Sequence, residues 1–183
     1  MNSAFLEVLK HSPQTDCIIF HDVDLLPEDD RNLYTCSKNS PKHLSVAIDK
    51  FLYVLPYDYL VGGAFAITPD HYRLVNGYSN SYWGWGGEDD DLSTRIKLKN
   101  LKIERPPTKL ARYRMMRHKL QESNDLRHTQ LHWTRHNQHK DGLNTIDYQV
   151  VNMTLYTGFT HILVNVGSKF KVAKDYSLYF TKK

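Results

Sequence analysis

Cys17-Ile18-Ile19-Phe20-His21-Asp22-Val23-Asp24 is the stretch that decides the fold. Its first four residues form a short apolar run, and polar residues follow at once. This pattern predicts a buried strand whose carboxyl end opens onto a loop. Because ligands bind beyond the carboxyl ends of strands in α/β sheets, the loop that begins at Asp22 is the first candidate for a binding site.

Other parts of the sequence predict further strands and helices. The triplet Thr68-Pro69-Asp70 combines an N-cap with a first-turn proline and so marks the start of a helix. The predicted elements are strands at 60–67, 148–156 and 161–166, a strand containing Ile103, and helices from Pro69 to near Gly77 and from about Glu88 to Asn100. Strands and helices that alternate through the first hundred residues predict an α/β sheet.

An aromatic and glycine-rich segment runs directly into four carboxylates at Tyr82-Trp83-Gly84-Trp85-Gly86-Gly87-Glu88-Asp89-Asp90-Asp91. Aromatic faces stack on sugar rings, glycines let the backbone approach closely, and carboxylates accept hydrogen bonds from hydroxyls. The favourable interaction of acids with the N-terminal end of a helix dipole explains one or two of the carboxylates. It does not explain the preceding run, so the segment predicts a sugar site beside a base.

Composition limits the class of protein. The chain has 183 residues, of which 40% are hydrophobic and 24% charged, and this predicts a single domain over 1–183 with a real core. A formal net charge of +4, spread along the chain, indicates an anionic ligand and does not require nucleic acid. The sequence contains neither a long apolar run typical of a membrane span nor a targeting signal.

The triplet Asp22-Val23-Asp24 places two carboxylates on one side of an extended segment. Such hard oxygen ligands suit Mg²⁺ or Mn²⁺ bound to a diphosphate. Acidic loops are common in proteins, so this interpretation depends on the strand before the triplet and on the acidic segment downstream.

Four segments, taken in order, resemble the β-1,4-galactosyltransferase family (glycosyltransferase family 7), and in particular its invertebrate-type β-1,4-N-acetylgalactosaminyltransferases. They are Phe20-His21-Asp22-Val23-Asp24-Leu25-Leu26-Pro27, Tyr82 to Asp91, Arg114-Met115-Met116-Arg117-His118 and Asp141-Gly142-Leu143-Asn144. The resemblance covers roughly residues 16–167. It implies a GT-A type (Rossmann-like nucleotide-diphospho-sugar transferase) fold, a UDP-sugar donor held through Mn²⁺, an inverting mechanism and a place in the Golgi lumen.

The resemblance also implies a role for individual residues. Asp24, Met115 and His118 match the family's ligands of Mn²⁺, although a thioether is an unusual ligand for a hard ion and Met115 on its own would be assigned to the core. Asp89 matches the general base, and Glu88 a supporting carboxylate. The matched acceptor-binding residues are Tyr57, Tyr82, Gly87, Asp89, Asp90, Arg127 and Leu131, and the matched donor-binding residues are Asp22, Val23, Lys50, Leu60 and Trp85.

The choice of donor depends on Leu60. Family members that transfer galactose have a tyrosine at this position, whose hydroxyl restricts the C2 substituent of the donor, and members that transfer N-acetylgalactosamine have a smaller aliphatic residue. The resemblance therefore implies UDP-GalNAc as the donor, with UDP-Gal as the alternative, and terminal GlcNAc as the acceptor. On the other interpretation, Leu60 merely continues an apolar strand.

The two cysteines match a family disulfide, Cys17 to Cys36, whereas without the family two free thiols would be the expectation. Asn152-Met153-Thr154 is a possible glycosylation sequon. Family members carry a membrane anchor, a stem and the first strands of the catalytic domain before the matched region. The resemblance thus implies a partial GT-A domain without its N-terminal strands. It also implies attachment to a membrane only through an anchor that this chain lacks. On this interpretation the chain is either a fragment or does not work alone.

Two other functions remain open. One is a non-catalytic GlcNAc-binding module derived from a transferase. The lack of the nucleotide-binding half of the domain favours this interpretation. The other is a transferase that adds galactose to xylose, which shares the Phe-His-Asp-Val-Asp start. Gly87 before Glu88, and Met115 in the metal motif, fit the GlcNAc-using branch better.

Overall fold

The computed structural model describes residues 1–119 and 121–167. The helices are α1 (Asn2–His11), α2 (Pro69–Leu74), α3 (Glu88–Leu98) and α4 (Arg127–Asn137), with 3₁₀ turns at Asp49–Phe51 and Leu143–Thr145. The strands are β1 (Ile18–His21), β2 (Leu25–Pro27), β3 (Lys42–His43), β4 (Ala47–Ile48), β5 (Ala64–Ile67), β6 (Arg112–Met115), β7 (Gln149–Tyr156) and β8 (Phe159–Asn165).

Within these residues the strands form two three-stranded sheets and a hairpin. In the first sheet β5 lies between β1 and β3 and is antiparallel to both. In the second, β6 lies between β2 and β4, antiparallel to β2 and parallel to β4. The register places Leu25, the first residue of β2, opposite Met115, the last residue of β6. The loop before β2 and the loop after β6 therefore meet at one end of this sheet.

Strand β5 is buried on both faces and joins two apolar clusters. Phe65 and Ile67 face a cluster that contains Tyr72 from α2 and Leu92 from α3. Ala64 and Ala66 face the other, which includes Leu25, Leu44 and Tyr113. Successive side chains of a strand point to opposite faces, so the core is built on both sides of β5. The large aromatic residues lie on one side, where the rings of Phe5 and Tyr72 are 4.4 Å apart.

Several of the predicted elements are confirmed. Strand β1 coincides with the apolar run that begins at Cys17, and β7 and β8 lie where the two late strands were predicted. Helix α2 has Thr68 as its N-cap, whose side chain accepts a hydrogen bond of 3.2 Å from His71 N, and Pro69 begins its first turn. Helix α3 begins at Glu88 as predicted.

Two of the predicted strands are wrong in extent or place. The apolar run 60–67 forms a strand only from Ala64, because Gly63 has a positive φ of 93° that ends the extended conformation. Ile103 lies outside the strands; its neighbour Glu104 forms a single parallel bridge with Lys42. An apolar run shows that a segment is buried, but does not show which part of it pairs.

Helices α1 and α4 and strand β6 were not predicted. Helix α4 buries Gln130 and Thr134, so its inward face lacks the apolar spacing that identifies a helix. Strand β6 reads Arg-Tyr-Arg-Met, in which Tyr113 is buried and its flanking arginines are not. Buried polar residues and short strands leave weak patterns in a sequence.

The predicted disulfide between Cys17 and Cys36 is present, with Cα atoms 5.4 Å apart. It ties the start of the β1 region to the loop after β2. None of the helices in the described part of the chain is long and apolar enough to cross a membrane. Asn152 lies exposed on β7, and its glycosylation stays a prediction.

Candidate active site

A cavity of about 590 Å³ lies between the end of β1, the segment 56–63, the start of α3, the end of β6 and the start of α4. Most of the residues predicted to bind or react line it. They are Asp22, Lys50, Tyr57, Leu60, Trp85, Gly87, Glu88, Asp89, Asp90, Met115, Arg127 and Leu131. The fold therefore brings together residues spread over more than a hundred positions in the sequence.

Four predicted residues lie outside this cavity wall. Val23 is 97% exposed. Tyr82 lines a neighbouring cavity of about 660 Å³, and the two cavities share Glu88. Asp24 directly precedes Leu25, and His118 follows Met115 by three residues. Leu25 and Met115 are paired across the sheet and do line the first cavity.

Gly87 sets the approach to helix α3. It is the N-cap, with a φ of 97° that favours glycine. A Cβ atom at this position would lie 2.8 Å from the ring of Tyr82 and 3.0 Å from Arg127 Cβ. The residue thus has to be glycine for the backbone to turn into the helix between these two side chains.

Helix α3 begins with Glu88, Asp89 and Asp90 at the cavity. Burial, together with the negative charges of Glu88 and Asp90, raises the pKa of Asp89 to about 7. Backbone N–H groups at the start of the helix partly offset this rise. A carboxylate with a pKa near the working pH can accept a proton from a hydroxyl and release it again, as a general base requires.

Two carboxylate oxygens in the cavity have no hydrogen-bond partner within the described protein. Glu88 Oε2 and Asp90 Oδ1 are both shielded from solvent. Buried oxygens without a donor are costly and therefore uncommon. Burial raises the pKa of both carboxyls, and for Asp90 the hydroxyl of Tyr57 partly offsets that rise. These oxygens are free to accept hydrogen bonds from donor groups of a ligand in the cavity.

The end of β1 and the start of α3 converge on the same volume. The carboxylate of Asp22 lies close enough to Glu88 to help raise its pKa. The pKa of Asp22 is raised by desolvation from the surrounding protein and by the charge of Asp24. The acidic loop after β1 and the acidic start of α3 thus form one negative site.

The three residues matched to metal ligands lie at the end of the β2–β6 sheet. His118 Nε2 is 3.0 Å from the Asp24 carboxylate, and Met116 N donates to the Asp24 carbonyl at 2.7 Å. The described residues include no group of three or more His, Cys, Asp and Glu side chains arranged to hold a metal. The trio supplies one carboxylate, one imidazole and the thioether of Met115. The first two donors suit Mn²⁺, and two protein ligands of this kind leave coordination positions for the oxygens of a diphosphate.

Leu60 lines the cavity close to the predicted base. Its side chain is mostly buried, with 9% of the residue exposed. A Cβ atom built on Gly62 would overlap Asp89 Oδ2 and would lie 3.7 Å from Leu60 Cδ1. Leu60 and the Asp89 carboxylate therefore both border Gly62.

The chain matches known proteins along most of its length. A family model described as the N-terminal region of glycosyl transferase group 7 matches residues 1–37, and one described as the N-terminal domain of galactosyltransferase matches residues 42–119. β-1,4-galactosyltransferase 3 of Bos taurus and of Homo sapiens are each 44% identical to it over 176 residues, an alignment that includes 92% of this chain. The chain belongs to the β-1,4-galactosyltransferase family, glycosyltransferase family 7. It spans 43% of the length of these two relatives.

Solved structures of the family agree with this fold. The catalytic domain of Drosophila β1,4-galactosyltransferase 7 in complex with xylobiose superposes with a TM-score of 0.77 at 28% identity, over 93% of this chain and 74% of the other. A mutant of that enzyme, in complex with manganese, UDP-Gal and xylobiose, superposes with a TM-score of 0.74. The predicted family and its GT-A type α/β fold are thus confirmed. The nearer kinship to invertebrate N-acetylgalactosaminyltransferases stays a prediction.

Some residues of this galactosyltransferase-family site were not identified from the sequence. His128 lines the cavity beside Arg127, but a histidine in a polar helix gives no signal of its own. Gly62 could have been found, because a glycine pair next to an apolar run indicates a close approach of the backbone. Arg105 and His43 lie outside the cavity wall and form hydrogen bonds to backbone carbonyls of segment 58–63. No local sequence pattern connects these two residues with the segment.

Proposed function

We propose that this chain carries the metal-binding, acceptor-binding and catalytic part of an inverting, manganese-dependent glycosyltransferase. The whole protein would move a hexose from a UDP-sugar to the 4-hydroxyl of terminal GlcNAc on glycoproteins or glycolipids. The observation that carries the proposal is the position of Asp89, which has a pKa of about 7 and lies in a cavity that also contains Asp22 and Met115. A transferase needs a base for the acceptor and acidic ligands for the donor within one volume.

The proposed reaction is a single displacement. The acceptor hydroxyl oxygen forms a bond to the anomeric carbon while the bond from that carbon to the UDP oxygen breaks, and the hydroxyl proton passes to the Asp89 carboxylate. The attack comes from the face opposite the leaving group, so the anomeric configuration inverts. The unpartnered oxygens of Glu88 and Asp90 would accept hydrogen bonds from other acceptor hydroxyls and fix its orientation.

Asp24, His118 and Met115 would hold Mn²⁺ next to Asp22. Mn²⁺, when bound, offsets the negative charge that develops on the departing diphosphate. The support for manganese is the donor set at the end of the β2–β6 sheet, together with the Drosophila relative whose structure contains manganese and UDP-Gal. Lys50 and Trp85, which line the cavity, would contact the donor.

Leu60 supports UDP-GalNAc as the donor, because its side chain at the cavity wall lacks a tyrosine hydroxyl that would meet the C2 substituent. The names of the relatives support UDP-Gal, which is therefore the alternative donor. We expect Leu60→Tyr to move the preference toward UDP-Gal by at least about tenfold in kcat/KM, the effect of one favourable polar contact together with lost space. Leu74→Tyr, on the exposed side of α2, is the matched control and should leave the preference unchanged.

A transfer assay of the whole protein tests the proposal directly. UDP-GalNAc and UDP-Gal are each combined with GlcNAc and with xylose, with Mn²⁺ or with EDTA. Xylose is included because the Drosophila relative binds xylobiose. Metal-dependent transfer to GlcNAc is the expected result. Transfer to xylose alone would replace the acceptor assignment, and GlcNAc binding without UDP binding or transfer would support the non-catalytic module.

The Golgi lumen is the proposed location of the whole protein. Disulfides persist in oxidising compartments, and the bridge between Cys17 and Cys36 is what supports this part of the proposal.

A further inference from the structure

Segment 58–63, which contains Leu60, is held mainly by side chains, although the Gly63 carbonyl at its end accepts a backbone hydrogen bond of 2.9 Å from Asp22 N. Only the part of the apolar run from Ala64 onward pairs as a strand. Arg105 reaches this segment from the loop after α3. Its NH2 group donates to the carbonyl oxygens of Asp58 at 2.6 Å and of Leu60 at 3.0 Å. The backbone on either side of Tyr59 is thus fixed by one guanidinium group.

His43 extends the same support to Gly62. It is fully buried on β3, with Arg105 Nε 3.4 Å from its Nδ1 and the Gly62 carbonyl 3.0 Å from its Nε2. Because Nδ1 accepts from Arg105, the ring proton is on Nε2, which donates to Gly62. Burial and the charge of Arg105 lower the pKa of His43 to about 4, although the hydrogen bond to Gly62 partly offsets this shift. The ring is therefore neutral at neutral pH.

Ser45 completes the network. Its hydroxyl donates to the Gly62 carbonyl at 3.1 Å and accepts from Ala64 N at 2.8 Å. The carbonyls of three alternate residues, Asp58, Leu60 and Gly62, are therefore all held by buried or half-buried polar side chains. A Cβ atom built on Gly62 would meet the Asp89 carboxylate and lie 3.7 Å from Leu60 Cδ1, so the network holds a backbone position that borders both side chains.

We propose that Arg105 is a positioning residue for donor selection, acting through the Asp58 and Leu60 carbonyls and through His43 to fix the Leu60 side chain at the donor-facing wall. The inference rests on the proposed function, because it concerns the donor of the same site. Arg105 does not touch the sugar. Loosening its contacts lets the Leu60 segment shift, so the site distinguishes less well between a donor with an acetamido group and one with a hydroxyl.

The test uses Arg105→Lys in the whole protein. A lysine keeps the charge but presents a single ammonium, which cannot replace a planar fork that contacts two carbonyls and an imidazole. We expect the ratio of kcat/KM for UDP-GalNAc over UDP-Gal to fall about five- to tenfold, the effect of losing about one charge-assisted hydrogen bond. Arg73→Lys, more than half exposed on α2, is the matched control and should leave the ratio unchanged.

A merely structural role for Arg105 would lower transfer from both donors equally. An unchanged ratio in a folded Arg105→Lys variant therefore overturns the inference, even while the wild type transfers both sugars and the proposed function stands. If the wild type transfers neither sugar, the proposed function fails and this inference with it. Should the lysine variant not fold, Arg105→Gln decides in its place, because it keeps a hydrogen-bond donor but removes the charge and the planar fork; a shifted ratio supports the inference and an unchanged one overturns it.

Discussion

Replacing Asp89 with asparagine should make the protein more stable and at the same time inactive. The raised pKa of Asp89 means that the folded protein favours the neutral carboxyl. The ordinary pKa of 3.8 applies to the unfolded chain, and the folded value is about 7. Between these two values the folded state binds more protons than the unfolded state, so ionisation of Asp89 reduces stability as the pH rises.

The size of the effect follows from the two values. A difference of about 3 pH units at 1.36 kcal/mol each corresponds to roughly 4 kcal/mol of lost stability above pH 7. Because part of the rise comes from Glu88 and Asp90, which also titrate, we expect a gain of about 2–4 kcal/mol for Asp89→Asn at pH 8. The gain should fall to about 0.5 kcal/mol near pH 4, where the folded state still holds the proton and more than half of the unfolded chains have lost it.

The measurement is urea unfolding of both proteins from pH 4 to pH 8.5, without metal or sugar, followed by the transfer assay at pH 7. Asp30→Asn, at an exposed carboxyl, is the control and should give a small difference that is independent of pH. Loss of the base should lower the transfer rate by about 10²- to 10⁴-fold. A difference between Asp89→Asn and wild type that stays constant with pH, or a wild type that is the more stable at pH 8, would refute the assignment of a raised pKa.

Three further substitutions test other parts of the structure. Gly62→Ala places a methyl group on the Asp89 carboxylate, which is the movable end of a side chain. Transfer should therefore fall at least about tenfold, while the free energy of unfolding changes by under about 1 kcal/mol. Full activity in steady-state kinetics would contradict the contact. Replacing Cys17 and Cys36 together with serine should cost about 3 kcal/mol in urea unfolding, and the wild type should lose the same amount in reductant; equal stability of the two forms would contradict this. Asp91→Asn leaves a buried arginine without its carboxylate and should cost about 3–5 kcal/mol by thermal unfolding, and a cost below 1 kcal/mol would show that the pair is not buried.

The sequence predicted those elements whose signals are local. The apolar run before Asp22, the cap at Thr68 and the acids that begin at Glu88 each identify an element from a few neighbouring residues. Helix α4 was not predicted because its contacts are polar and distant: Thr134 donates to Asp91 at 2.6 Å, and Gln130 donates to the Ser81 carbonyl at 2.8 Å. Contacts of this kind contribute to packing without leaving a periodic pattern.

The candidate site divides in the same way. The family resemblance named residues that the fold brings to one cavity, and the chemistry of carboxylates and aromatic rings explained why such residues suit a sugar. Neither argument identified Arg105 and His43, which are 62 positions apart and meet only in the folded chain. The effect of burial on Asp89 also needs the fold, because a carboxylate in a sequence has no environment.

The four consecutive acids at the start of α3 distinguish two explanations of that motif. If they served only to complement the helix dipole, their pKa values would be lowered. Burial instead raises the pKa of all four. For Asp91 the rise is partly offset by its buried partner Arg95 at 2.5 Å and by Thr134, which makes it a structural residue.

Among the residues that the structure describes, no basic side chain lowers the pKa of Glu88, Asp89 or Asp90, so their crowding costs stability. A cluster that destabilises the folded chain calls for another reason to be there, and a ligand that donates hydrogen bonds and a proton supplies one. Binding of an acceptor hydroxyl to the ionised Asp89 would stabilise the charged form and lower its pKa. Acceptor affinity should therefore rise with pH through about 7, whereas a purely structural acidic cluster would show no such dependence.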